Sequence, residues 1–122
     1  MTTTELTPAE MAERTGVSID TLRYYEREGL LVEVTRAPSG HRRYDEEDVL
    51  WVKVLRCLRD TGMSIDQLRR YCVLGEQGVQ TEAERRRILL DHRAEVEAQI
   101  DQRRAALVLI DEKLRHYTGE AS

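Results

Sequence analysis

Residues 15–31 read TGVSIDTLRYYEREGLL. Gly16 and Gly29 punctuate the stretch, and Ser18 stands where an N-cap belongs. A helix from Ile19 to about Glu28 follows, with Val17 in the turn before it. Upstream, Thr7 precedes Pro8 and stands three residues before Glu10, a capping box with proline in the first helical position. That predicts a first short helix through Arg14 or Thr15, with Leu6, Met11 and Ala12 as its apolar contacts. Two short helices joined by a tight glycine turn make a helix-turn-helix. The pair Tyr24–Tyr25 needs an explanation, because a helix sets adjacent rings about 100° apart and the chain has no Phe and one Trp. One ring can serve a core. The other, close to Arg23 and Arg27, is placed for a polar partner.

Downstream, Leu30–Val34 reads as a short strand, and TRAPSGHRRY (Thr35–Tyr44) carries turn chemistry at Pro38, Ser39 and Gly40. Its ends are suited to pair as a hairpin. Asp45 caps a third helix to about Thr61, ended by Gly62. Ser64 and Gln67 form a capping box for a fourth helix through Tyr71 or Cys72, and VLGEQGVQ (Val73–Gln80) reads as a loop. Thr81 and Glu84 form a further capping box, opening a last helix that stays in pattern to about Tyr117. Along it Leu89, Arg93, Val96, Ile100, Arg103, Leu107, Ile110, Leu114 and Tyr117 alternate steps of four and three, and seven of the nine are apolar. Such a helix, roughly 55 Å long at 1.5 Å per residue, needs a partner for its seam, most simply a second copy of the chain. The reading is mainly α: a helix-turn-helix lobe over 1–78 and a coiled-coil dimerisation helix with a short tail over 79–122.

The 122 residues carry a net charge of −4, which argues against a nucleic-acid partner taken alone. The distribution tempers this. Arg36 to Arg43 holds three arginines and His41 with no acid, while acids gather at Asp45–Asp48 and in the last third. No apolar run approaches the roughly 18 residues of a membrane span, and no secretory leader opens the chain, so a cytoplasmic protein is expected. Cys57 and Cys72 form no C-x-x-C pair and give no disulfide framework. His41, His92 and His116 have no metal-site spacing, with His92 read as a surface position beside the seam. No catalytic triad, phosphate loop or paired catalytic carboxylates stand out, so neither an enzyme nor a cofactor is expected.

Thr15, Gly16, Val17, Ser18, Thr21, Leu22, Arg23, Tyr24, Tyr25, Glu26, Gly29, Leu30 and Leu31 together resemble the opening helix-turn-helix of MerR-family bacterial transcription regulators. Arg36, Gly40, Arg42, Tyr44 and Asp48 match the family's wing pattern, and the later helices fall in family order. The resemblance implies a winged helix-turn-helix whose antiparallel terminal helices join two lobes. The homodimer would bind a pseudo-palindromic promoter and distort its spacer to realign the contacts of RNA polymerase. Ser18, Ile19, Asp20 and Thr21 would face base edges in the major groove. Arg23, Tyr24, Tyr25 and Arg27 would grip phosphate, and Arg36, Gly40, His41, Arg42, Arg43 and Tyr44 would form the wing contact. The dimer seam would be Leu89, Val96, Ile100, Leu107, Ile110, Leu114 and Tyr117.

Each residue has a plainer use. Arg42 and Arg43 suit a solvated run, one tyrosine of the pair suits the core, and Arg23 suits an i,i+3 pair with Glu26. Val17 and Leu22 are packing positions.

No cysteine lies near the end of the last helix, where metal-sensing members carry theirs, so no metal site is expected. The stretch YDEEDVLWVKVLRCLRDTGMSIDQL resembles the short aldehyde- and nitrosative-stress regulators of the family, which keep one sensing cysteine in the third helix. Cys57 holds that position, with Arg56 and Arg59 nearby to favour a thiolate. The helical projection sets it at the edge of a Leu50–Val54–Leu58 packed face, where an adduct would overpack. A free cysteine in such a place is also commonly a small hydrophobe. Two further readings share the fold or its helix: a constitutive DNA-binding or architectural protein without an effector, and a coiled-coil interaction module.

Overall fold

The computed structural model describes residues 5–31, 35–36 and 42–119. Five helices run in order: α1 (Pro8–Thr15), α2 (Ile19–Arg27), α3 (Glu46–Asp60), α4 (Ile65–Glu76) and α5 (Glu82–Thr118). A two-stranded antiparallel ribbon, β1 (Thr35–Arg36) with β2 (Arg42–Arg43), lies between α2 and α3. Its register sets Thr35 opposite Arg43 and Arg36 opposite Arg42. The chain divides into one unit up to Glu82 and a second from Ala83 onward.

The helix starts follow their caps. Thr7, Asp45 and Ser64 each accept from the backbone of the residue three positions on, and Glu10, Asp48 and Gln67 return the bond, closing three capping boxes. Ser18 caps α2 by accepting from Thr21 N at 3.1 Å. Such caps satisfy amide groups that a helix start leaves open, each typically adding about 1 kcal/mol.

In the first unit α1 packs on both α2 and α3. Met11, Leu22, Leu30, Leu55, Met63 and Leu68 are fully covered. Leu6 joins this core by exchanging backbone bonds with Tyr44, 2.7 Å from its amide and 2.9 Å to its carbonyl.

Four sequence expectations are corrected here. Leu30 and Leu31 are buried bends, not strand residues; Val32–Val34 lie outside the described residues, and the described pairing is that of Thr35 and Arg36. α4 continues to Glu76, because Val73 and Leu74 extend the helix beyond Cys72 and Leu74 joins the core. The remaining loop is a short 3-10 turn, Val79–Thr81, where the buried Thr81 hydroxyl donates to the carbonyls of Leu74 and Gly78. The covered face of α3 is Val49, Val52, Leu55 and Leu58; Leu50 is 65% and Val54 43% exposed. Of the expected face only Leu58 turns inward; α1 is bonded to α3 through Glu46 and Arg56, which lie in line with Val49 and Val52. Lastly, His92 is buried, with Nδ1 3.9 Å from a Glu95 carboxylate oxygen.

α5 contrasts with the rest. Its 37 residues span about 55 Å, and every residue from Glu97 to Thr118 is exposed. Ile100, Leu107, Ile110 and Leu114 are about half exposed, and Leu89 and Val96 are partly covered. No helix among the described residues is long and apolar enough to cross a membrane.

Candidate nucleic-acid interface

The site starts from the turn between α1 and α2. Gly16 adopts φ +73°, a left-handed conformation that side chains resist, and its amide closes α1 onto Ala12. The Thr15 hydroxyl donates to the Met11 carbonyl at 2.8 Å and accepts from Val17 N at 3.3 Å. Arg56, arriving from α3, donates to the Thr15 carbonyl at 3.0 Å and lies 3.5 Å from Asp60. A Cβ at position 16 would land on the Arg56 guanidinium. Glycine is required here for its dihedral, whereas the guanidinium, as the end of a flexible side chain, can move aside. This clamp fixes the direction in which α2 leaves the turn.

α2 then shows two faces. Leu22 and Tyr25 point into the core. Asp20, Arg23, Tyr24 and Arg27 are all exposed, at spacings of three, one and three, which is a single stripe of a helix. The Arg27 guanidinium carbon sits 5.9 Å from the Tyr24 ring centroid, within cation–π range. Ser18 is exposed at the entry, while Ile19 and Thr21 are half-buried. The Ser18 hydroxyl also donates to Thr21 Oγ1 at 2.9 Å, so both hydroxyls already serve the cap.

The tyrosine pair is thus divided. The rings lie 6.3 Å apart at 49°. Tyr25 is buried, and that burial, with the Asp60 charge next in weight, holds its phenol above the ordinary range against the opposing pull of Arg59 and Arg56. Tyr24 is the exposed member. Tyr44, expected to join the wing contact, is also buried, and its hydroxyl donates to Glu26 at 2.8 Å. Both Tyr25 and Tyr44 act through packing, because the first unit needs their rings to close its core. Arg36, Arg42 and Arg43 occupy three of the four paired positions of the ribbon. Gly40 and His41 lie outside the described residues.

A second set of contacts, unremarked in the sequence reading, converges on the exit of α2. Arg69 from α4 pairs with the Glu28 carboxylate and donates to the Glu28 carbonyl at 3.3 Å, while also holding Asp66 at 2.7 Å. The Leu30 carbonyl accepts from Trp51 Nε1 at 2.7 Å and from the Cys72 thiol at 3.6 Å. Trp51 stacks on Tyr71 with centroids 5.6 Å apart. No local spacing reveals the contacts made on Glu28 and Leu30, since 21 to 42 residues separate the partners. Arg14 and Glu46, bonded twice at 2.8 and 3.0 Å, tie α1 to the start of α3. α2 is therefore held at its entry by Arg56 and at its exit by Arg69 and Trp51, with its stripe left open.

The cysteines differ. Cys57 is exposed, one turn beyond Val54 on the uncovered side of α3. Cys72 is half-buried, and burial, aided by the Glu76 charge, pushes its thiol up to about 11. Among the described residues no group of three or more His, Cys, Asp or Glu side chains is gathered in a way that would hold a metal.

Residues 6–73 match the family described as MerR HTH family regulatory protein, and residues 49–116 match the one described as MerR, DNA binding. The HTH-type transcriptional regulator AdhR of Bacillus subtilis is 45% identical over 85 residues, 70% of this chain and 61% of that protein. An uncharacterised HTH-type transcriptional regulator of Haemophilus influenzae is 37% identical over 111 residues, 91% of this chain and 82% of that one. Among solved structures, HiNmlR, a MerR family regulator lacking the sensor domain and bound to promoter DNA, superposes with a TM-score of 0.88. It is 35% identical, with 95% of this chain and 92% of that one covered.

Proposed function

The chain belongs to the MerR family of helix-turn-helix transcription regulators, and we propose that it works as a homodimer on a pseudo-palindromic promoter. The observation that carries this reading is the uncovered seam of α5. A 37-residue helix with Ile100, Leu107, Ile110 and Leu114 in water has no stabilising partner within its own length. An antiparallel copy supplies one, holding two α2 stripes at the fixed separation that two half-sites require.

On DNA, Arg23, Tyr24 and Arg27 meet phosphates and the start of α2 enters the major groove. The arginine-rich ribbon reaches the flanking backbone. Distortion of the spacer, in which deformation energy is exchanged for these contacts, presents the promoter to RNA polymerase. The site of action is the cytoplasm, and the role is regulatory, not enzymatic.

Control by Cys57 belongs to the same proposal. The thiol is exposed, whereas that of Cys72 is partly shielded and raised, so an electrophile meets Cys57 first. With Leu50 and Val54 also exposed, an adduct at Cys57 alters an open apolar stripe of α3 instead of overpacking a core. In vitro transcription from the native promoter, with and without formaldehyde, methylglyoxal or a nitrosothiol, tests this. Wild type should respond and Cys57→Ser should not. A response that persists in Cys57→Ser rules out this cysteine, and no response in either favours the effector-free regulator.

A further inference from the structure

Three of the four exposed side chains on the α2 stripe suit a polyanion: two guanidinium groups and a phenol. The fourth, Asp20, does not. Its carboxylate makes no hydrogen bond or ion pair among the described residues, and it stands one turn before Arg23 and Tyr24 on the same stripe. Facing phosphate it would be repelled. The repulsion is avoided where the first turn of a recognition helix meets base edges.

A carboxylate only accepts hydrogen bonds, so it needs an amino group in the groove. Two bases present one there. The adenine amino group sits between acceptors on both sides, its own N7 and the paired thymine O4. The cytosine N4 amino group has an acceptor, guanine O6, on one side only. The second setting repels a carboxylate less.

We infer that Asp20 is a specificity-determining residue, its carboxylate accepting a hydrogen bond from the N4 amino group of one cytosine in each half-site. The inference rests on the DNA-binding reading above and deepens it. It also accounts for an acid on a stripe otherwise composed of DNA-seeking groups.

The test is selection from a randomised duplex library with the full-length chain as wild type, Asp20→Asn and Asp20→Ala. Wild type should enrich cytosine at one position, repeated symmetrically in the two half-sites, by about tenfold over other bases. Asp20→Asn should move the preference at that position to adenine, since an amide offers both the donor and the acceptor that N7 and N6 need. Asp20→Ala should lose the preference there and keep it elsewhere, while binding unrelated duplex more tightly. Thermal unfolding of the near-isosteric Asp20→Asn shows whether the fold is intact. An acid serving only the helix start would shift that transition and leave every base preference in place, and the same preferences in all three proteins would overturn the proposal. Failure of wild type to enrich any sequence would instead overturn the DNA-binding reading itself.

Discussion

Leu55 in α3 and Leu107 in α5 are both leucines on helical stripes, yet Leu55 is fully covered and Leu107 is 57% exposed. The same contrast separates Met11, Leu22 and Leu68 from Ile100, Ile110 and Leu114. Full burial of such a side chain stabilises by about 1.5–3 kcal/mol. The unit up to Glu82 collects that stabilisation from its own elements, whereas the exposed stripe of α5 would collect it only in the proposed dimer. On that proposal one region's stability is intramolecular, and the other's depends on protein concentration.

The largest expected effect comes from breaking the seam. Leu107→Arg with Ile110→Arg puts two like charges into a heptad face that must be dry in a dimer. The double variant should be monomeric by light scattering at micromolar concentration. Its affinity for a full promoter fragment should fall by roughly 10²–10⁴-fold, because two half-sites are no longer engaged together. Trp51 emission should not change, since the indole bonds Leu30 within the first unit. A double variant that remains dimeric would remove the seam from the proposal.

Next is the core of the first unit. Leu55→Ala should cost about 2–5 kcal/mol, the range for opening a cavity at a fully buried leucine. Urea unfolding followed through Trp51 should show that loss equally at two protein concentrations in the monomeric background. Leu107→Ala in the otherwise native chain should show a loss that grows on dilution. If the two variants behave alike, the division between self-sufficient and partner-dependent regions does not hold.

This contrast also marks what could be read from residue order. Caps are local, so the Thr7, Ser18, Asp45 and Ser64 starts agree with the structure. The α5 pattern is periodic, so the long helix it predicts was legible as well. The covered side of α3 was not: Leu50 and Val54 complete a plausible stripe, and only tertiary packing selects Val49, Val52 and Leu55 instead. The tyrosines show the same limit at the site. Tyr24 and Tyr25 are chemically equal in sequence, and burial alone assigns one to the core and the other to the exposed stripe. Arg56, Arg69 and Trp51, which orient α2, act across 21 to 41 residues and leave no local signature.

The smallest effect expected sharpens the comparison within the first unit by asking whether its interior titrates as one buried body. The Cys72 thiol donates a hydrogen bond to the Leu30 carbonyl, and burial holds the thiol at about 11 against the ordinary 9. Below pH 9 the thiol is protonated in both folded and unfolded chains, so its contribution is fully present. Between pH 9 and 11 the unfolded chain ionises while the folded one does not, and stability falls as pH rises through that window. Two pH units amount to an upper bound of about 2.7 kcal/mol, and partial exposure reduces the expected loss to roughly 1–2 kcal/mol. Cys72→Ala leaves Leu30 its bond from Trp51 Nε1 and removes the titrating group. Urea unfolding from pH 8 to 11 should therefore show the wild-type curve falling toward that of Cys72→Ala, with the gap narrowing above pH 9. Curves that stay parallel would mean that the Cys72 thiol is solvated in the folded chain, so that the α4 side of the α2 exit is open to water.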